Sequence, residues 1–137
     1  MTAETFGVAD PRCSRRASSS FSSAVVDADT VLAMRESLER VAVEPVLLRY
    51  VVALVEATRS HPQVTVGSSP RGGLAIVALA RGQAMLEGRD YVTPEDVKEV
   101  AVPALAHRLS LRPELWVRRV TGDDVVAEIL DSVPVPR

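Results

Sequence analysis

The stretch Gly67-Ser68-Ser69-Pro70-Arg71-Gly72-Gly73 places an arginine where a helix should begin. Proline suits the first helical position, a serine just before it can supply the N-cap oxygen, and the apolar run from Leu74 onward provides the helix body. Ser68 or Ser69 is the expected cap. Arg71 then falls in the first turn, where unpaired N–H groups and the helix dipole amount to roughly +0.5 of an elementary charge. A cation is misplaced there unless an anion is close by. N–H groups and a guanidinium converging on one point make a phosphate site, because the planar fork matches phosphate oxygens. The plain alternative is a solvated arginine, whose penalty in water is roughly a few tenths of a kcal/mol. Gly72 and Gly73 each cost up to ~1 kcal/mol relative to alanine inside a helix, so either a second group approaches that face closely or the turn frays.

Other chemistries recede on composition. Cys13 is the only cysteine, which excludes an internal disulfide, and two histidines form no metal-ligand cluster of known spacing. Of the 16 basic residues, 15 are arginine, and the only lysine, Lys98, lies between Val97 and Glu99. A P-loop needs Gly-Lys-Ser/Thr, so none is present. The formal net charge of -2 marks neither a nucleic-acid nor a membrane-surface binder. No apolar run approaches the ~18 residues of a membrane span. Arg15-Arg16 is followed by serines in place of an apolar signal core, and a cytoplasmic location is expected.

The elements that must position Arg71 follow from periodicity. At 137 residues, 47% hydrophobic and with a mean hydropathy of +0.12, the chain can bury one core. Residues 1–26, with Cys13, Arg15, Arg16 and a serine tract, read as a disordered tail, and 27–137 as a helical domain. Val31, Met34, Leu38 and Val41 follow the capping candidates Asp27 and Asp29 at helical spacing, predicting a first helix that ends near Val43. Pro45 opens a second, with Val46, Leu47, Tyr50, Val51, Leu54, Val55 and Thr58 on one face, stopping at His61-Pro62. Gln63–Val66 is a short connection. The third helix carries Leu74, Val77, Ala78, Arg81, Ala84 and Met85 to the stop signal Gly88.

Tyr91-Val92 reads as extended, Thr93 as a cap, Pro94 as the first residue of a fourth helix and Asp96 as its capping-box acid. That helix carries Val97, Val100, Ala101 and Leu105 and ends near His107-Arg108, with a short strand at Leu109–Leu111. Thr121-Gly122-Asp123-Asp124 repeats the capping pattern before Val125, Val126, Ile129, Leu130 and Val133. The fold class predicted is all-α, a small bundle of four to five helices with room for one very short strand pair.

The order of these signals resembles the C-terminal lid domain of MoxR-family AAA+ ATPases. Gly-x-Ser-Pro-Arg-Gly opens a long helix, and Gly-Arg-Asp-Tyr-Val-Thr-Pro-Glu-Asp-Val-Lys, Leu-Ala-His-Arg-Leu and a last capped helix follow, so the likeness covers about residues 27–134. The resemblance implies that Arg71 is the sensor-2 arginine, reaching the γ-phosphate of ATP held on a neighbouring α/β core, with Ser69, Pro70 and Gly72 forming the motif around it. It implies a hexameric, chaperone-like ATPase that works on partners carrying von Willebrand factor A domains. The core's P-loop, Walker B pair, sensor 1 and arginine finger are missing from these residues. The isolated chain is therefore expected not to hydrolyse ATP and to bind it weakly; no residue is assigned as catalytic or metal-binding.

His107 is expected to hydrogen-bond a carbonyl at a helix end, and Arg89 and Asp90 to make local turn contacts. Trp116, among Arg112, Arg118 and Arg119, suits a subunit contact or a loop anchor equally. Tyr91–Val97 also looks like the strand, cap and helix of histone-fold proteins, giving an alternative DNA-binding or dimerisation module that the net charge and the lone lysine disfavour.

Overall fold

Five α-helices and one two-stranded antiparallel sheet make up the computed structural model, which describes residues 25–136 apart from the side chains of Trp116 and Val117. The helices are α1 (Ala28–Leu38), α2 (Pro45–Ser60), α3 (Pro70–Leu86), α4 (Pro94–Leu105) and α5 (Gly122–Ser132). The strands are β1 (Val64–Val66) and β2 (Ser110–Leu111), paired Val64 with Leu111 and Val66 with Ser110. The all-α expectation holds, and the residues read as a connection before Gly67 form one half of the strand pair. The tail expected over residues 1–26 lies outside the described residues except for Val25 and Val26, which are exposed.

Local sequence sets most helix starts. Asp27 accepts the Thr30 amide at α1, and Thr93/Asp96 and Thr121/Asp124 form reciprocal capping boxes at α4 and α5. Pro103 lies inside the last turn of α4, where proline cannot donate a backbone hydrogen bond. A 3-10 turn at Ala106–Arg108 completes that end, and Arg108 Nε donates to the Ala104 carbonyl at 2.9 Å.

The core joins α2, α3, α4 and α5 through Leu54, Ile76, Val97, Leu105, Val125 and Ile129. The most extensive helix contact is α3 against α4. Ala80 and Ala84 on α3 and Ala101 and Ala104 on α4 are all buried, and such short side chains let two helices approach closely. On α3 the buried stripe is Gly72, Ile76, Ala80 and Ala84, one step from the predicted one: Leu74 is 70% exposed and Ala78 is exposed. Nearly every position of α3 is apolar or small, so spacing alone fits several stripes, and the contact with α4 selects the narrowest.

The first helix also departs from expectation. It ends at Leu38 and buries no residue, leaving Val31 and Met34 each more than two-fifths exposed. The chain turns at residues 39–40 so that Ala42 can bridge to Tyr91: the Ala42 N–H donates to the Asp90 carbonyl at 2.8 Å and the Val92 N–H to the Ala42 carbonyl at 3.0 Å. Val41 is buried outside any helix. Polar contacts between this end of α1 and α3 include an Arg81–Glu39 ion pair at 2.8 Å and Ser37 Oγ 3.1 Å from Met85 Sδ, with the Ser37 hydroxyl donating to the Met34 carbonyl at 2.6 Å.

Candidate functional site

Arg71 is the second residue of α3 and its side chain is exposed, with no ion pair among the described residues. The first turn around it offers no other charge: it contains no acidic residue, and no side chain caps it. The expected serine cap is therefore a misreading, for a geometric reason. Ser69 occupies the N-cap position, but its own carbonyl takes the Gly72 N–H at 2.8 Å in a tight first turn, so that donor is already satisfied. Ser68 is buried and turned inward. Pro70 holds the first position as expected, and its ring lies on the surface.

Gly72 is explained by packing inside the protein. A Cβ there would lie 2.0 Å from Ser68 Oγ and 3.1 Å from Leu105 Cδ2. The close approach at Gly72 is thus made by Ser68 and α4. Gly73 has ordinary space against Val51 and Val55.

What sequence reading missed is how this turn is held. The Ser68 N–H donates to Thr58 Oγ1 at 2.9 Å, and the Ser68 carbonyl accepts from Arg59 Nε at 2.9 Å. Gly67 sits on the backbone of Arg59, where a Cβ would lie 2.7 Å from Arg59 Cα. The last turn of α2 therefore carries the segment that launches α3. Thr58 falls on the apolar face of α2 and is fully buried; no local pattern marks its hydroxyl as reserved for a residue ten positions on.

Beside Arg71, α2 and α3 enclose an apolar groove of about 440 Å³. Its walls include Val52, Val55, Arg59, Pro70, Gly73 and Leu74. Val52 and Leu74 are largely exposed, so the groove opens onto the same surface as the first turn of α3.

The remaining candidates resolve differently. Arg89 does more than contact its own turn: both terminal nitrogens reach Asp96, at 2.7 and 2.8 Å, and it also contacts Glu87 and the Tyr91 carbonyl and ring. Asp90 contributes its carbonyl to the Ala42 bridge. His107 is exposed at a shallow concavity with Pro103 and Asp123; the carbonyl bond expected of it is made by Arg108. The Trp116 side chain lies outside the described residues, while Arg112, Arg118 and Arg119 are exposed. Among the described residues no cluster of His, Cys, Asp and Glu could hold a metal ion, and no helix is long and apolar enough to cross a membrane.

The chain and its fold are similar to known proteins. The AAA lid domain family matches residues 56–129, from the turn bearing Thr58 through most of α5. The chain is 34% identical over 112 residues to YeaC of Bacillus subtilis (strain 168), an uncharacterized protein, covering 82% of this chain and 35% of that one. It is 34% identical over 122 residues to Chaperone MoxR1 of Mycobacterium tuberculosis, covering 82% and 32%. To Protein MoxR of Methylorubrum extorquens it is 36% identical over 110 residues, covering 70% and 32%. A crystal structure of an ATPase candidate from Cytophaga hutchinsonii superposes with a TM-score of 0.75 at 30% identity, over 80% of this chain and 36% of that one. The chain thus spans about a third of the length of these relatives. The helical domain built around Arg71, with Tyr91–Val97 as one of its caps, is accordingly no histone fold: the chain belongs to the AAA lid domain family.

Proposed function

We propose that this chain is the lid of a MoxR-type AAA+ ATPase and that Arg71 is its nucleotide sensor. The observation carrying this is the exposed Arg71 guanidinium, without an ion pair among the described residues, in a first turn free of acids and capping side chains. That arrangement fits a phosphate group, because it leaves a cation at the positive end of a helix where no acidic or capping side chain among the described residues compensates it. ATP, held mainly by a core that carries the P-loop, supplies the free energy on hydrolysis. Arg71 contributes a charge-assisted hydrogen bond to a terminal phosphate oxygen, and its loss on product formation frees the lid to rotate. Ser69 and Pro70 set the start of the helix, and Gly72 lets it seat on Ser68.

The ATPase proposed is a hexameric, chaperone-like ring in the cytoplasm, acting on partners with von Willebrand factor A domains. In it this chain contacts a core and a neighbouring subunit. The test is the turnover of a MoxR-type core supplied with this chain. Wild-type lid raises the rate and Arg71→Ala does not; equal rates with both would remove the sensor role.

A further inference from the structure

Ser68 is held at both of its backbone polar groups by two consecutive residues of α2, Thr58 and Arg59. Thr58 Oγ1 accepts the Ser68 N–H at 2.9 Å while donating its single proton to the Val55 carbonyl at 2.6 Å, so it is held from both sides. Thr58 and Ser68 are 0% and 1% exposed, which shields that bond from competing water. From the other side, Arg59 Nε reaches the Ser68 carbonyl at 2.9 Å. Ser68 stands three residues before Arg71, and its side chain is the surface on which Gly72 rests.

We propose that Thr58 and Arg59 are positioning residues for Arg71, a two-point clamp that fixes the direction of the first turn of α3; this rests on Arg71 gripping phosphate as proposed above. Only Gly67–Ser69 separate β1 from α3, and no side chain caps the helix. With the clamp released, the first turn is free to pivot about this linker, and the guanidinium at the end of a long side chain moves furthest. A charge-assisted bond tolerates little of this, since a misplacement of about 1 Å can cost up to ~10²-fold in function. The clamp also passes a pull on Arg71 directly to the body of α2. Arg59, an exposed residue of the groove wall, thereby has a role that packing alone would not require.

The test titrates sodium tripolyphosphate into the full chain at low ionic strength and follows the backbone amide NMR signals of residues 71–73, which every variant retains. Thr58→Val keeps the shape and removes the hydroxyl; Thr58→Ser keeps the hydroxyl; Arg59→Lys keeps the charge and removes Nε. Circular dichroism confirms that each variant is helical, and Arg59→Lys, at an exposed position, keeps the experiment informative if Thr58→Val does not fold. Arg71→Ala should bind about tenfold more weakly, as expected for one lost hydrogen bond to a charged group. Thr58→Val and Arg59→Lys should approach that loss, and Thr58→Ser should bind like wild type. If Arg71→Ala is weakened while Thr58→Val and Arg59→Lys are not, the clamp is overturned and the sensor stands. A Thr58→Ser variant as weak as Thr58→Val would also overturn the clamp, by assigning the effect to the methyl group. If Arg71→Ala binds like wild type, the sensor and the clamp fall together.

Discussion

Gly72 leaves no room for a side chain against Ser68, since a Cβ at residue 72 would lie 2.0 Å from Ser68 Oγ. Leu105 Cδ2, at 3.1 Å, closes the other side. Gly72→Ala gains up to ~1 kcal/mol of helix propensity but must displace two buried side chains, an overpacking cost of ~1–3 kcal/mol. The net expectation is a destabilised protein. Ser68→Ala removes the nearer clash, so the double variant should recover much of the loss. Urea unfolding of the two single variants and the double checks this; strictly additive effects would mean the two residues do not meet as described.

Asp96 ties the start of α4 to Arg89, and its acid response follows from that contact. The Arg89 guanidinium, foremost, and then the Thr93 amide and hydroxyl hold the Asp96 carboxyl below its ordinary value, against the opposing effect of burial. A carboxyl lowered in the folded state stabilises the protein above its unfolded value of about 3.9, and that contribution is lost as pH falls through the folded value. Wild-type stability should therefore fall below about pH 4. Asp96→Asn, at a site 2% exposed, should destabilise the protein by about 1–2 kcal/mol at neutral pH, since Arg89 keeps Glu87, and make the acid slope shallower. It should not abolish the slope, because Asp27 and Asp124 are lowered too. Stability measured from pH 7 to pH 3 for both proteins decides it; parallel curves would contradict the assignment.

Tyr50 is 4% exposed, and its hydroxyl has no hydrogen-bond partner among the described residues. Burial, and secondarily Glu95, push its phenol above the ordinary value. A buried, unpaired hydroxyl carries a desolvation penalty of ~1–3 kcal/mol that phenylalanine would not. Tyr50→Phe should be neutral or stabilising in chemical denaturation. A clear loss would reveal a partner for the hydroxyl, such as a bound water.

The legible parts of this sequence were those that act within one turn. The Thr93/Asp96 and Thr121/Asp124 boxes, the Pro70 start and the Tyr50–Thr58 face depend on residues three or four apart, and all are present. Arg71 could be placed for the same reason. The Ser69 cap failed because a carbonyl outcompeted the side chain for the same N–H. The end of α1 was set by the Ala42–Tyr91 bridge, a pairing across forty-nine positions that periodicity cannot contain. The α3 stripe was chosen by its neighbour α4, and the Thr58–Ser68 bond joins α2 to the linker before α3. Local grammar located the arginine; tertiary contacts decided what holds it.

The most direct measurement is isothermal titration of ATP and of ADP into a MoxR-type core, with and without this chain, and with the Arg71→Ala chain. Arg71 as a sensor of the terminal phosphate predicts that the wild-type chain tightens ATP about tenfold more than ADP, the worth of one charge-assisted bond. Arg71→Ala should abolish that difference while circular dichroism stays helical. Equal tightening of ATP and ADP, or identical behaviour of wild type and Arg71→Ala, would contradict the account.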